Sequence, residues 1–352
     1  MPKTFFYLLR TLLIGAAGGL VGYVFNFPLG WLVGAMLATI PFAMAGAKMP
    51  ISWSLRSVMI GVIGLMAGGT FTPELLGRAG EWAFSLTGVA IYCAIVTVIG
   101  LFVCTWLGKQ DRATAAFSSV PGGLSEVLSI APSYGADVRS LSLVHGMRLV
   151  VILIIVPVVV VWIGNGGTGP VTIDRSIDFT IRMPILDFVI LTACLVVGIY
   201  GGRKIRLPAA HLTGPLLLSA IVHYTGLTDV HPPQLVLIAA QIVIGTSVAQ
   251  FFSNTSWRHI LQGLMVGGGL TIINLLVAVI FAFGFEVWLG IPFATGLMAL
   301  VPGGLPEMSL VSLALGLDAA FVSLHHLFRV VLVLFLLPIL VPLWAGKQQN
   351  AH

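Results

Sequence analysis

The sequence predicts an all-α integral membrane protein built from two inverted repeats, with about ten crossings and two re-entrant or broken helices. Three observations carry that prediction: the composition, a motif that occurs twice, and loop charges of opposite pattern in the two halves. Of the 352 residues, 58% are hydrophobic and 8% are charged, with a mean hydropathy of +1.06. An ordinary soluble domain is about 25% charged, and no soluble core of this length could hide so much apolar surface. A bilayer admits helices or closed barrels, and the apolar runs here, about 17–25 residues without two-residue alternation, suit helices.

The doubled motif begins at Val120 and again at Val301, 181 residues later. The copies read VPGGLSEVLSIAPSYGADVRSLSLVHGMRLVVILIIVP and VPGGLPEMSLVSLALGLDAAFVSLHHLFRVVLVLFLLP. They agree at 15 of 38 ungapped positions, where chance in so biased a composition gives roughly four. Pro121/Pro302, Gly122/Gly303, Gly123/Gly304, Glu126/Glu307, Asp137/Asp318, His145/His326 and Arg148/Arg329 all match. Charges kept in register inside apolar sequence are costly and mark a functional site. The repeat continues outside the motif: FPLGWLVGAML from Phe27 pairs with LPAAHLTGPLL from Leu207, and VIGLMAGGTF from Val62 with VIGTSVAQFF from Val243.

Each half carries six hydrophobic segments, at 5–24, 28–46, 57–73, 84–107, 113–132 and 138–163, then at 184–201, 208–224, 234–252, 262–288, 292–315 and 320–345. The expected domains are a first transmembrane repeat at 1–163, a linker at 164–183 and a second repeat at 184–352. Lys3, Arg10, Lys48, Arg56, Lys109 and Arg112 mark cytoplasmic sites in the first half. In the second half the basic sites are Arg203, Lys204, Arg206, Arg258 and Lys347, where the first half has non-basic or mixed loops at Asn26–Phe27 and Glu74–Glu81. The loops near Asp229–Pro233 and Glu286 carry no Lys or Arg. Opposite facing requires an odd number of crossings per half, so one of the six segments does not cross. The segments at 113–132 and 292–315, with Pro-Gly-Gly and a carboxylate, are the ones expected to re-enter or break. A parallel arrangement with six crossings per half is the competing count. Both termini are expected to be cytoplasmic on the inverted reading, and the membrane expected is the cell (inner) membrane.

Pro121-Gly122-Gly123 and Pro302-Gly303-Gly304 can open a helix, because proline lacks a donor and glycine permits close backbone approach. Glu126 and Glu307 fall within the next turn; each either neutralises a helix N-terminus or takes up and releases a proton or cation. Asp137, His145 and Arg148 share one helix face, as do Asp318, His326 and Arg329. The aspartates are expected to cap helix N-termini. The arginines lie about 15 Å into a helix and need a carboxylate, carbonyls or an anion. A buried Arg–Glu brace and substrate binding are both open. Next to a permanent cation, His145 and His326 suit a neutral hydrogen-bonding role. His211 is expected to line the same cavity from the second half only. The glycine runs at Gly15, Gly18, Gly19 and Gly22, and at Gly263, Gly267, Gly268 and Gly269, suit small-residue helix packing. Gln241, Gln250 and Asn274 either glue helices or line a path.

Cys93, Cys104 and Cys194 are scattered and lack CxxC spacing, which argues against disulfides and against a metal site. No cofactor is expected. The histidines show no HxxxH or His-carboxylate facial-triad spacing, so enzyme chemistry finds no support.

The duplicated VPGGLxE element, followed at fixed distances by Asp, His and Arg, resembles the membrane-bound AbrB family. The resemblance covers nearly the whole chain. It implies a distant similarity to the cation/proton antiporter and anion transporter superfamily, with inverted repeats and discontinuous helices. Labels in that family include ammonia monooxygenase and regulator of gene expression. The first lacks a metal constellation here, and the second lacks a soluble basic module. The function expected is a secondary transporter of a small, anionic solute coupled to protons or cations. The alternative is a membrane-embedded sensor or regulator of gene expression acting indirectly, without transport. Expected partners are the lipid bilayer and a small-molecule or ion substrate, with no nucleic acid; a homo-oligomer is left open.

Overall fold

The computed structural model describes residues 2–71, 80, 82–164, 183–253 and 255–345. Among these residues the secondary structure is helical, with no strand. The first repeat forms α1 (Pro2–Val24), α2 (Gly30–Met44), α3 (Trp53–Gly68), α4 (Trp82–Phe102), α5 (Arg112–Ser119), α6 (Leu124–Ile130) and α7 (Val138–Gly164). The second forms α8 (Ile185–Lys204), α9 (Ala210–Tyr224), α10 (Gln234–Val248), α11 (Trp257–Gly263), α12 (Gly269–Leu289), α13 (Phe293–Leu300), α14 (Leu305–Ala314) and α15 (Ala319–Ala345). Residues 165–182 of the expected linker, most of the loop at Glu74–Glu81, and Lys347 lie outside the described residues.

Seven of the described helical runs are long and apolar enough to cross a bilayer: Thr4–Val24, Trp82–Leu107, Val138–Ile163, Ile185–Lys204, Gln234–Phe252, Trp257–Leu289 and Ala319–Trp344. The other expected crossings, α2, α3 and α9, hold 15, 16 and 15 residues. At 1.5 Å per residue they fall short of the roughly 30 Å hydrocarbon core. Helix α3 starts at Trp53 rather than near 57, which moves Arg56 out of a loop and into its first turn.

The chain forms two compact units, and both draw on both repeats. Unit 1 comprises Met1–Gly80, Leu153–Asn254 and Pro306–Ser323; unit 2 comprises Glu81–Ile152, Thr255–Leu305 and Leu324–His352. Unit 1 thus takes the three opening helices of each repeat. Their repeat relationship is visible in the backbone. The α1–α2 turn is left-handed at Asn26 (φ 59°) and Leu29 (φ 56°), and the α8–α9 turn is left-handed at Arg206 (φ 56°) and Ala209 (φ 49°). Gly18 lies against the Gly34 carbonyl in one hairpin and Gly198 against Gly214 in the other. Any side chain at these glycines would push the helices apart, which is why small residues sit at the crossings.

While α14 from Pro306 onward belongs to unit 1, unit 2 holds α4, α5, α6, α11, α12 and α13 with the larger parts of α7 and α15. Its apolar centre includes Leu101, Phe117, Val127, Leu141, Val333 and Leu337, drawn from α4, α5, α6, α7 and α15. A second cluster joins Cys104, Ala115, Val144, Val266 and Leu270. Cys104 and Val266 in that cluster lie on π-helical turns, at Val103–Leu107 and Leu264–Gly268.

Candidate functional site

Both Pro-Gly-Gly segments interrupt a helix. In the first, α5 ends at Ser119 and α6 begins at Leu124; in the second, α13 ends at Leu300 and α14 begins at Leu305. Val120 and Val301 turn extended, at ψ 138° and ψ 131°, which removes their carbonyls from the helical ladder. Gly122 and Gly123 then take φ values of 100° and 69°, in the region that favours glycine.

A break in an apolar bundle leaves carbonyl groups that water cannot satisfy, so side chains must supply the donors. The paired arginines do this in both copies. Arg148 donates from Nη1 to the Val120 carbonyl at 2.8 Å. Arg329 donates from Nη1 to the matching Val301 carbonyl at 2.7 Å, and from Nη2 to the Gly303 carbonyl at 2.6 Å. Each arginine is held in turn by the histidine one turn earlier. Arg329 donates to His326 Nδ1 at 2.7 Å, and Arg148 donates to His145 Nδ1. A guanidinium can only donate, so each Nδ1 is an acceptor and the proton of the neutral ring sits on Nε2. Nε2 of His145 then donates to the Phe117 carbonyl at 3.0 Å, and Nε2 of His326 to the Met298 carbonyl at 2.8 Å. Phe117/Met298 and Val120/Val301 occupy equivalent repeat positions, so two similar latches fasten two similar breaks.

These latches are buried. Arg148 is 2% exposed, Arg329 1%, His145 1% and His326 0%. Among the described residues neither arginine is paired with a carboxylate, and the Nε of each has no hydrogen-bond partner. Among the described residues Arg329 meets the helix break through an arginine–carbonyl fork. The physical reason is proximity: the helix break presents the Leu300, Val301 and Gly303 carbonyls to one guanidinium.

Glu307 goes elsewhere. It sits in the first turn of α14, 4% exposed, and its Oε1 lies 3.4 Å from Nη2 of Arg56 on α3. Arg56 also donates from Nε to Ser247 Oγ at 3.3 Å on α10. Arg56 served the sequence reading only as a mark of the cytoplasmic side, and the structure gives it a partner 251 residues away. The side chain of Glu126 lies outside the described residues. Unit 2 thus brings together Pro121–Gly123, Pro302–Gly304, His145, His326, Arg148 and Arg329, while Glu307 belongs to unit 1.

The aspartates act at helix ends. Asp318 Oδ1 accepts from the Phe321 N–H at 2.9 Å, and Asp137 Oδ1 from the Arg139 N–H at 3.0 Å. Hydrogen bonding to Ser140 holds the Asp137 carboxyl below the usual range. Asp111, not singled out from sequence, caps α5 through the Thr114 N–H at 2.9 Å, and the Thr114 hydroxyl accepts from the Asp137 N–H at 2.8 Å. His211 belongs to unit 1, edge-on to Trp53 at 5.7 Å.

Tyr92 and Asn274 meet across the α4–α12 pair. Tyr92 is fully buried, and its hydroxyl donates to the Asn274 carbonyl at 3.3 Å. Asn274 is 0% exposed, and neither its Oδ1 nor its Nδ2 has a partner.

Comparison with known proteins agrees with this architecture in extent. Residues 31–345 match the family described as "Transition state regulatory protein AbrB". A Bacillus subtilis (strain 168) protein named "Uncharacterized protein YhjN" is 27% identical over 355 residues, covering 92% of this chain and 90% of that protein. "Putative regulator AbrB" of Escherichia coli (strain K12) is 23% identical over 316 residues, covering 88% of each. With the match running through both helix breaks and both arginine latches, the chain belongs to the AbrB family.

Proposed function

We propose that this protein is a multi-pass secondary transporter of a small anionic solute, coupled to protons or cations. One observation carries the reading: two interrupted helices, each latched by a buried arginine whose charge no described carboxylate balances. Burying an uncompensated charge costs several kcal/mol, and in a membrane bundle such groups mark solute or ion pathways. Discontinuous helices from paired repeats are a recurring way of building transporter sites. In this reading the repeats are inverted, about ten segments cross and the two broken helices do not. The protein sits in the inner membrane with both termini cytoplasmic. Arg148 and Arg329 attract the anion. Glu307, with Arg56 as its counter-ion, takes up the coupling proton or cation, and Glu126 is its repeat counterpart. The protein performs no chemical conversion of its solute.

A second reading, a membrane-embedded regulator that binds without transporting, is favoured by the printed name of the E. coli relative. Proteoliposomes loaded with a pH-sensitive dye separate the two. Addition of small carboxylate or sulfate salts outside should change the lumenal pH with the wild-type protein, and Glu307→Gln should abolish that change. A folded wild-type protein that binds such salts yet never shifts lumenal pH or moves the anion supports the regulator and overturns the transporter.

A further inference from the structure

A cavity of about 160 Å³ opens in unit 1 between α1, α2, α10 and the end of α14. Helix α10 turns one face into it, with Gln234, Leu237 and Gln241 at helical spacing. Gln234 stands at the exposed mouth, and Gln241 lies two turns deeper, about 10 Å along the helix. One turn beyond, Gly245 packs on the Leu32 carbonyl so closely that a β-carbon would stand 2.3 Å away, which closes the α2–α10 seam below Gln241. Gln241 is 6% exposed, and among the described residues its amide forms no hydrogen bond. A glutamine head carries two donors and an acceptor, and burying it unsatisfied is costly; its residual surface opens into the cavity. None of the described residues lining the cavity is charged. Tyr23 and Trp31, stacked with ring centroids 5.6 Å apart, supply a flat aromatic wall, and Leu237 and Leu313 an apolar one. An apolar cavity of about 150 Å³ is large enough for a benzene ring. The positions equivalent to Tyr23, Asn26 and Gln241 in the other repeat hold Arg203, Arg206 and Ile60, so this neutral lining is not duplicated as the latches are.

We infer that this cavity binds a small uncharged molecule, a ring-sized apolar body bearing one head that both donates and accepts hydrogen bonds. The head, a carboxamide or a hydroxyl, pairs with the Gln241 amide, and the body lies along the Tyr23–Trp31 wall. An anion or a cation would be buried here without a partner, which disfavours both. The site belongs to unit 1 and does not depend on the arginine latches or on the transporter reading.

The test is calorimetric titration of the full-length protein in lipid nanodiscs, with protein-free nanodiscs subtracted to remove partition into lipid. Benzamide and benzyl alcohol are the neutral probes with a hydrogen-bonding head. Benzoate, benzylammonium and toluene match them in size but carry a negative charge, a positive charge and no head. Benzamide or benzyl alcohol should bind the wild type saturably and about tenfold more tightly than any of those three. The stronger of the two tells carboxamide from hydroxyl. Gln241→Leu removes the unpartnered amide at similar volume, so without ligand it should melt at or above the wild-type temperature. It should also bind the preferred probe about tenfold more weakly, as loss of its hydrogen bonds predicts. A purely structural glutamine would instead lower the melting temperature and leave the affinity unchanged. Leu313→Phe, which adds a ring to the cavity wall, should weaken the same probe about tenfold with Gln241 intact. The inference is overturned if neither neutral probe binds saturably, as in a cavity that holds water alone, or if a charged probe binds best in a Gln241-dependent way. It is equally overturned if Gln241→Leu or Leu313→Phe binds the preferred probe as the wild type does.

Discussion

Arg329 of the second repeat lies against Gly122 of the first, so close that a β-carbon on Gly122 would stand 2.9 Å from the arginine Nε. One repeat's helix break is therefore the wall against which the other repeat's latch closes. That contact ties the conformation of Gly122, at φ 100°, to the position of the guanidinium. It also gives the duplicated motif a reason to be kept whole.

Gly122→Ala should be strongly destabilising, because it combines backbone strain of about 1–3 kcal/mol with a clash on the Arg329 fork. Gly201→Ala is the control: Gly201 is helical, with nothing within 4 Å of the added carbon. It should be neutral or up to about 1 kcal/mol stabilising. Thermal unfolding in detergent compares the two.

Arg329→Lys should not behave as a conservative change. Lysine keeps the charge but cannot span the Val301 and Gly303 carbonyls and His326 Nδ1 together. A loss of about 3 kcal/mol is expected from the orphaned acceptors. Stability equal to the wild type in chemical unfolding would show that the fork does not hold the break.

His326→Asn should leave any pH dependence of activity unchanged, since the ring serves as a neutral acceptor for Arg329 and a donor to Met298. His145→Asn should behave alike. An activity profile in which either variant loses a titration near neutral pH would contradict the tautomer assignment.

Asp137→Asn keeps a capping oxygen and should cost about 0.3–1 kcal/mol at neutral pH through the lost negative charge at the helix N-terminus. The Asp137 carboxyl is held below its ordinary value of 3.8 by hydrogen bonding to Ser140. The folded state therefore binds its proton less readily than the unfolded chain. Its contribution is present above the unfolded value and is lost as pH falls below it. The gap between wild type and variant in unfolding experiments should narrow below about pH 4.

Reporter fusions test the inverted arrangement. A fusion at Gly166 should report the outside and one at Lys204 the cytoplasm; the reverse pattern would favour parallel repeats.

The extent of the helices was legible because apolar runs and Pro-Gly-Gly breaks are local signals. Segments read at 84–107 and 138–163 correspond to helical runs at Trp82–Leu107 and Val138–Gly164. The aspartate caps were legible for the same reason, each following a short glycine-containing turn. Less could be read of pairing across the chain. A basic residue near a helix start is ambiguous between a topological marker and a buried partner, so Arg56 gave no hint of Glu307. The arginines could be seen to need partners, but whether carbonyls or carboxylates would serve depends on where the break turns its peptide groups. The division into two units that both take helices from each repeat has no local signature at all. Asn274 stood out only as a polar residue in an apolar run, and its unpartnered amide appears only once the neighbouring helices are in place.

The most direct test of the central claim is uptake of labelled oxyanion, succinate or sulfate, by proteoliposomes carrying the wild-type protein and an inward proton gradient. The account predicts accumulation that collapses when the gradient is dissipated and is lost in Arg148→Ala. No accumulation of any small oxyanion by folded wild-type protein, or accumulation undiminished in Arg148→Ala, would contradict it.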